Sequence, residues 1–220
     1  MFPLRDENKP SRPPITNLVL IFTCGVVFWN ELSLFDQPET LLKEFITKWA
    51  LVPARDFGKP SFTYLSHQFL HGGWGHFIFN MWSLWIFGDN IEDRMGRIGY
   101  LLFYLVCGVM AGLAQTALIP DSTMPMVGAS GAISGVMAAY LFLYPKSKIV
   151  TFVPLLFLPL FFRVSAVAFI GVWFIVQVFS AVYLPESGVA FWAHIGGFVA
   201  GSLLHRLWVW GYEKSRIAPH

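Results

Sequence analysis

The chain alternates long apolar runs with short polar interruptions. Six runs approach the length needed to cross a hydrocarbon core of ~30 Å at ~1.5 Å per helical residue. They cover about residues 15–30, 69–87, 98–119, 126–144, 164–184 and 190–210. Residues 1–14 are polar and proline-rich and read as a flexible N-terminal tail, and residues 211–220 form a basic C-terminal tail. Between the first two runs charge returns, and from Pro38 to Leu51 apolar residues alternate with Lys and Glu at helical spacing. That is the pattern of an amphipathic helix lying in the membrane interface. Residues 149–162 are apolar but short, broken by Pro154 and Pro159 and bracketed by Lys148 and Arg163, so they read as an interfacial or re-entrant loop. The expected fold is all-α, a polytopic membrane bundle with six transmembrane helices.

Composition agrees with this pattern. Of the residues 55% are apolar and only 13% charged, with 22 Phe and 9 Trp to suit lipid and interface contact. A net charge of +2 and the lack of a basic run interleaved with aromatics within the spans argue against a nucleic-acid partner. Cys24 and Cys107 fall in the middle of different apolar runs and read as buried thiols, with no disulfide framework. If the N-terminus is placed inside, eleven of the fifteen cations fall on inner segments, as the positive-inside rule requires, and both termini are then cytoplasmic.

This parity sets depths. Spans two, four and six run from outside to inside, which puts His76, Asn80, Ser130 and His194 in the outward half of the membrane. Ser130 and His194 each lie roughly 6 Å below the start of their span. If residues 149–162 crossed the bilayer, span six would reverse and His194 would move to the opposite leaflet.

Small and hydroxyl residues crowd the head of the fourth span, Val127-Gly128-Ala129-Ser130-Gly131-Ala132-Ile133-Ser134-Gly135. Two readings are open. Small residues let membrane helices approach closely, and Gly131 and Gly135 form such a pair, as do Gly197 and Gly201 on span six. Alternatively Ser130 is a nucleophile, which needs a base to take its proton, and histidine suits that task. Negative charge developing on a substrate oxygen needs donors aimed at it. His76 and Asn80, spaced i and i+4 on one helix face, can both donate, and Gly128 lets the backbone bend so that an N–H points to the same place.

Other chemistries fit less well. His67 and His71 beside His76 lack a carboxylate among them and form no His-Glu-x-x-His, so no metal or cofactor is expected. Asp89 and Asp121 fall at span ends, away from where an aspartyl intramembrane site would need them. Gln177 reads as a helix-packing hydrogen bond. Residues 185–192 join spans five and six above the candidate site, which makes Phe191 and Trp192 candidates for a gate or cap.

The motifs His76-Phe77-Ile78-Phe79-Asn80, Gly128-Ala129-Ser130-Gly131 and Ala193-His194-Ile195-Gly196-Gly197, followed by Gly201, occur in order on spans two, four and six. With them the chain resembles the rhomboid family of intramembrane serine proteases in its six-span bacterial form. The resemblance implies Ser130 as nucleophile and His194 as general base, with an oxyanion hole from His76, Asn80 and the backbone at Gly128 and Ser130. It also implies transmembrane protein substrates, a bilayer setting in a bacterial inner membrane, and a structural anchor at Glu92 and Arg94. Two features depart from it. Ser134 stands where many relatives have an aromatic stacked on the catalytic histidine, so His194 must be oriented by Ser134 or by a neighbouring ring. A Trp-Arg pair in the first loop is not evident, with Trp49 and Arg55 merely nearby. The rival reading is a non-catalytic rhomboid-like membrane binder or transporter.

Overall fold

The computed structural model describes residues 2–35, 37–155, 158–184 and 187–217. The chain opens with strand β1 (Phe2–Asp6), enters helix α1 (Ile15–Ser33), and crosses a loop holding α2 (Glu39–Trp49), α3 (Pro53–Asp56), α4 (Thr63–Ser66) and a 3-10 turn at His67–Phe69. Helices α5 (Trp74–Met95), α6 (Arg97–Leu118) and α7 (Ser130–Leu143) follow. A hairpin of β2 (Lys148–Leu155) and β3 (Leu158–Ser165) leads to α8 (Ala166–Tyr183) and α9 (Phe191–Ile217). Each of the six apolar runs holds most or all of one helix. By length and composition α1, α6 and α8 suffice to cross a membrane, and α7 is a shorter apolar helix.

Expectations for both chain ends, the short apolar run and the second span are corrected. Phe2–Asp6 is not a free tail but the edge strand of a three-stranded antiparallel sheet in the order β1-β2-β3, so the fold is not all-α. Where an interfacial or re-entrant loop was expected, residues 149–155 and 158–162 are paired strands of the hairpin. Their β-branched and aromatic residues favour a pleated strand, and Pro154 and Pro159, which pair with each other in register, bar a helix. The basic tail is helical to Ile217, and residues 218–220 lie outside the described ones. Helix α5 starts at Trp74, so His71 precedes it rather than lying within it.

The sheet stands lengthwise beside α5. Phe2 stacks on Phe79 at 6.1 Å, the Trp82 indole donates to the Pro3 carbonyl at 2.6 Å, and Asn90 donates to Asp6 at 2.9 Å. Pro3 has no N–H to leave unpaired at the outer edge, and Trp82 caps its carbonyl. At the base, Asp6 accepts from Tyr140 of α7, and Asn8 donates to Tyr140 at 2.8 Å and Ser147 at 2.9 Å. Glu7 pairs with Arg163 of β3. At the same end Glu92 accepts from the Thr16 and Asn17 N–H groups, at 3.0 and 2.8 Å, satisfying two orphan donors at the start of α1.

Close helix packing sets the centre of the bundle. A Cβ on Gly197 would lie 1.9 Å from the Gly131 carbonyl, and one on Gly201 would lie 2.3 Å from the Gly135 carbonyl. Helices α7 and α9 thus touch backbone to backbone, as the small-residue reading expected. Both contacts share one sequence offset and ascend together, so α7 and α9 run parallel. The hairpin between them returns to the side it left, and the parity argument survives. Around the bundle, apolar side chains face outward, including Trp29, Ile175 and Leu203, each exposed by two thirds or more. An outer surface of this kind suits lipid.

Candidate active site

Ser130 is the first residue of α7, and His194 lies in the first turn of α9. The Gly131–Gly197 contact brings these two turns together, and the Ser130 Oγ lies 2.7 Å from His194 Nε2. Both residues are half-buried, so they remain reachable. The start of α9 is fixed by α6, where the Gln115 Oε1 accepts from the Ala193 N–H at 3.0 Å.

The loop before α5 places the approach to α7. Leu51 and Met126 exchange backbone hydrogen bonds of 3.1 and 2.7 Å, and the Gly128 N–H donates to the His67 carbonyl at 2.8 Å. Gly128 has φ +124°, a conformation that favours glycine. A Cβ there would lie 2.6 Å from His76 Nε2 and 3.7 Å from Asn80 Nδ2. The hollow two residues before Ser130 is therefore flanked by both side-chain nitrogens and stays open only because residue 128 lacks a side chain. The Gly72 N–H points at His76 Nδ1 at 3.4 Å, which leaves the proton on Nε2, the atom facing this hollow. Asn80 Nδ2 is buried with no hydrogen-bond partner among the described residues. The arrangement can activate a hydroxyl and offer donors to an oxygen beside it.

The other candidates are also placed. His71 packs edge-on to His76 at 5.3 Å and to Phe28 at 6.3 Å, and its backbone N–H donates to Glu31. Among the described residues no group of three His, Cys, Asp or Glu could hold a metal. The cleft lined by Arg12, Glu92, Asp93 and Arg97 lies at the opposite ends of α5 and α6 and contains none of the site residues.

Residues 60–210, more than half of the chain, match the family model described as Rhomboid domain. The chain belongs to the rhomboid family. Rhomboid-like protein 11, chloroplastic, of Arabidopsis thaliana is 36% identical over 77 residues, which is 35% of this chain and 27% of that protein. The putative rhomboid protease YdcA of Bacillus subtilis is 28% identical over 126 residues, 57% of this chain and 61% of its own. Rhomboid protease GlpG of Haemophilus influenzae is 29% identical over 154 residues, 70% of each chain. The chain thus spans less than two thirds of the first two of these relatives. Family and apolar helices together make this rhomboid a multi-pass membrane protein.

Several residues stand differently from expectation in this rhomboid. Ser134 donates to the Ser130 carbonyl at 2.6 Å, a bond within its own helix, and does not orient His194. Rings do approach His194, with Trp173 at 6.1 Å and Phe191 edge-on at 6.2 Å. Gln177 makes the hydrogen bond between helices expected of it, but its partner is the candidate base, with Oε1 2.8 Å from His194 Nδ1. A polar residue on span five, at the depth of the base, was the only sequence signal for it. Arg55 clasps the first loop, donating to the carbonyls of Thr47 and Ala50 and pairing with Asp56, while Trp49 carries Lys48 over its ring at 5.0 Å. Phe191 and Trp192 open α9. Of the expected gate loop, Pro185 and Glu186 lie outside the described residues.

Proposed function

We propose that this chain is an intramembrane serine endopeptidase that cleaves membrane-protein substrates near the outward face of the bilayer through a Ser130–His194 dyad. The observation that carries the reading is the 2.7 Å contact between the Ser130 hydroxyl and the His194 imidazole, with the His76 and Asn80 side-chain nitrogens gathered around Gly128, two residues before Ser130. His194 Nε2 takes the hydroxyl proton as Oγ attacks the scissile carbonyl. The oxygen that gains charge lies in the hollow at Gly128, where His76, Asn80 and the backbone N–H of Ser130 donate to it. The protonated imidazole then gives its proton to the leaving amine, and water releases the acyl group. Substrate must present an unwound segment, because helical backbone hides its carbonyls.

Six spans with both termini cytoplasmic, in a bacterial inner membrane, complete the proposal. The cation asymmetry and the parallel run of α7 and α9 support it, since they keep Ser130 and His194 at one depth. Phe191, edge-on to His194, and Trp192, the next residue of α9, are the proposed cap.

The test is covalent labelling. A fluorophosphonate should modify the purified protein at Ser130, and Ser130→Ala and His194→Ala should each abolish both labelling and cleavage of a transmembrane substrate. Retained cleavage in either variant would overturn the Ser130–His194 mechanism, and no labelling of a wild-type chain that also fails to cleave would favour the non-catalytic binder.

A further inference from the structure

The geometry points to Gln177 as the positioning residue that fixes the tautomer of His194, so that serine, histidine and glutamine form one hydrogen-bonded row. The inference rests on the proposed roles of Ser130 and His194. For His194 to act as base, Nε2 must be unprotonated and the ring proton must sit on Nδ1. Something must hold it there. Ser134 is bonded to its own helix, and ring contacts with Trp173 and Phe191 set the plane of an imidazole without choosing its tautomer.

Gln177 makes that choice. It is buried on α8, with Oε1 at 2.8 Å from His194 Nδ1 and Nε2 donating to the Trp173 carbonyl at 3.2 Å. The second contact decides which end of the amide faces the imidazole. Were the amide turned over, Oε1 would meet the Trp173 carbonyl, acceptor against acceptor. The backbone carbonyl of Trp173 therefore orients the amide, and the amide oxygen accepts the Nδ1–H. That leaves Nε2 bare toward the Ser130 hydroxyl 2.7 Å away. Only this orientation of the amide avoids setting acceptor against acceptor. A carboxylate would hold the same proton, but an ionised group at this depth needs far more stabilisation than an amide. Gln supplies the acceptor without the charge.

The test uses two variants of the full chain in detergent or bilayer. Gln177→Met keeps the length and shape of the side chain and removes the acceptor. It should lower kcat by roughly 10–100-fold, by analogy with loss of the hydrogen-bond partner of a metal-ligating histidine, with KM changed by less than about twofold. Gln177→Glu restores an acceptor and should recover activity to within about fivefold of wild type, by the same second-sphere logic. A readout that needs no cleavage is the nitrogen-15 spectrum of the histidine rings, assigned by difference from His194→Ala. The wild-type chain should show His194 as the Nδ1–H tautomer and Gln177→Met a tautomer mixture. A Gln177→Met chain with wild-type kcat, or with unchanged ring-nitrogen shifts, overturns the inference. If the tautomer behaves as stated but no variant and no wild-type chain cleaves, the protease reading fails while the role of Gln177 in holding His194 stands.

Discussion

At the scale of single residues, the proposed nucleophile and base stand out in the sequence because both chemistry and packing would call for them at fixed places. Ser130 and His194 sit beside glycines that bring their helices into contact, and four polar groups at one depth have few alternative uses. Gln177 is different. Its partner is seventeen residues away on another helix, and a lone amide in an apolar run has the same appearance whether it bonds to its own helix or orients a base. Ser134 shows the converse, since a hydroxyl one turn below the nucleophile satisfied itself locally. Gly128 carries the sharpest consequence at this scale. A Cβ there would meet His76 at 2.6 Å and would also strain a backbone at φ +124°. Gly128→Ala should therefore push His76 off the hollow. The expected result is a fall in kcat of about 100-fold or more, the usual loss for a removed oxyanion donor, with Ser130 still labelled slowly by a fluorophosphonate. Wild-type turnover in Gly128→Ala would remove the hollow from the mechanism.

At the scale of elements, the helices were legible from hydrophobic runs, but the sheet was not. The apolar run at 149–162 is rich in β-branched and aromatic residues, which is a strand signal, yet two prolines and flanking cations point to an interfacial or re-entrant loop. The missing information was the partner. Phe2–Asp6 pairs with residues near position 150, a contact that no local pattern records, and only that pairing turns a proline-rich tail into a strand. The first loop gives a clearer test of element stability. Burial alone would raise the carboxyl of Asp56, but hydrogen bonds from Arg55, the Val52 N–H and Thr63, with the charge of Arg55, hold it below its ordinary value. A carboxyl depressed in the folded state stabilises the fold above its unfolded value of about 3.9 and stops doing so as pH falls through the folded value. Thermal unfolding in detergent should accordingly lose stability below about pH 4 by this linkage. Asp56→Asn should be less stable at neutral pH and show a flatter acid slope. If the two acid slopes coincide, Asp56 is not among the groups that fasten the loop.

At the scale of the molecule, the decisive feature is that α7 and α9 run parallel, which was inferred from charge asymmetry and depends on the hairpin making no net crossing. The glycines that hold these helices together therefore also set the distance between Ser130 and His194. Gly201 isolates this relation, because it lies about two turns, roughly 10 Å, further along α9 than His194. No side chain at position 201 reaches the site, but a Cβ there would meet rigid backbone of α7, at 2.3 Å from the Gly135 carbonyl and 2.5 Å from the Gly135 Cα. Gly201→Leu must part the helices, at a cost of about 1–3 kcal/mol for overpacking. A displacement of about 1 Å at the dyad is enough to reduce the rate about 100-fold. The expected outcome is a chain that stays helical by circular dichroism and loses fluorophosphonate labelling. Gly201→Ala should fall between this variant and wild type, and it carries the test if the leucine variant fails to fold. Leu203→Ala, on the exposed face of the same helix, should be labelled at the wild-type rate. Equal labelling of Gly201→Ala, Gly201→Leu and wild type would mean that the dyad distance is held by something other than the contact between α7 and α9.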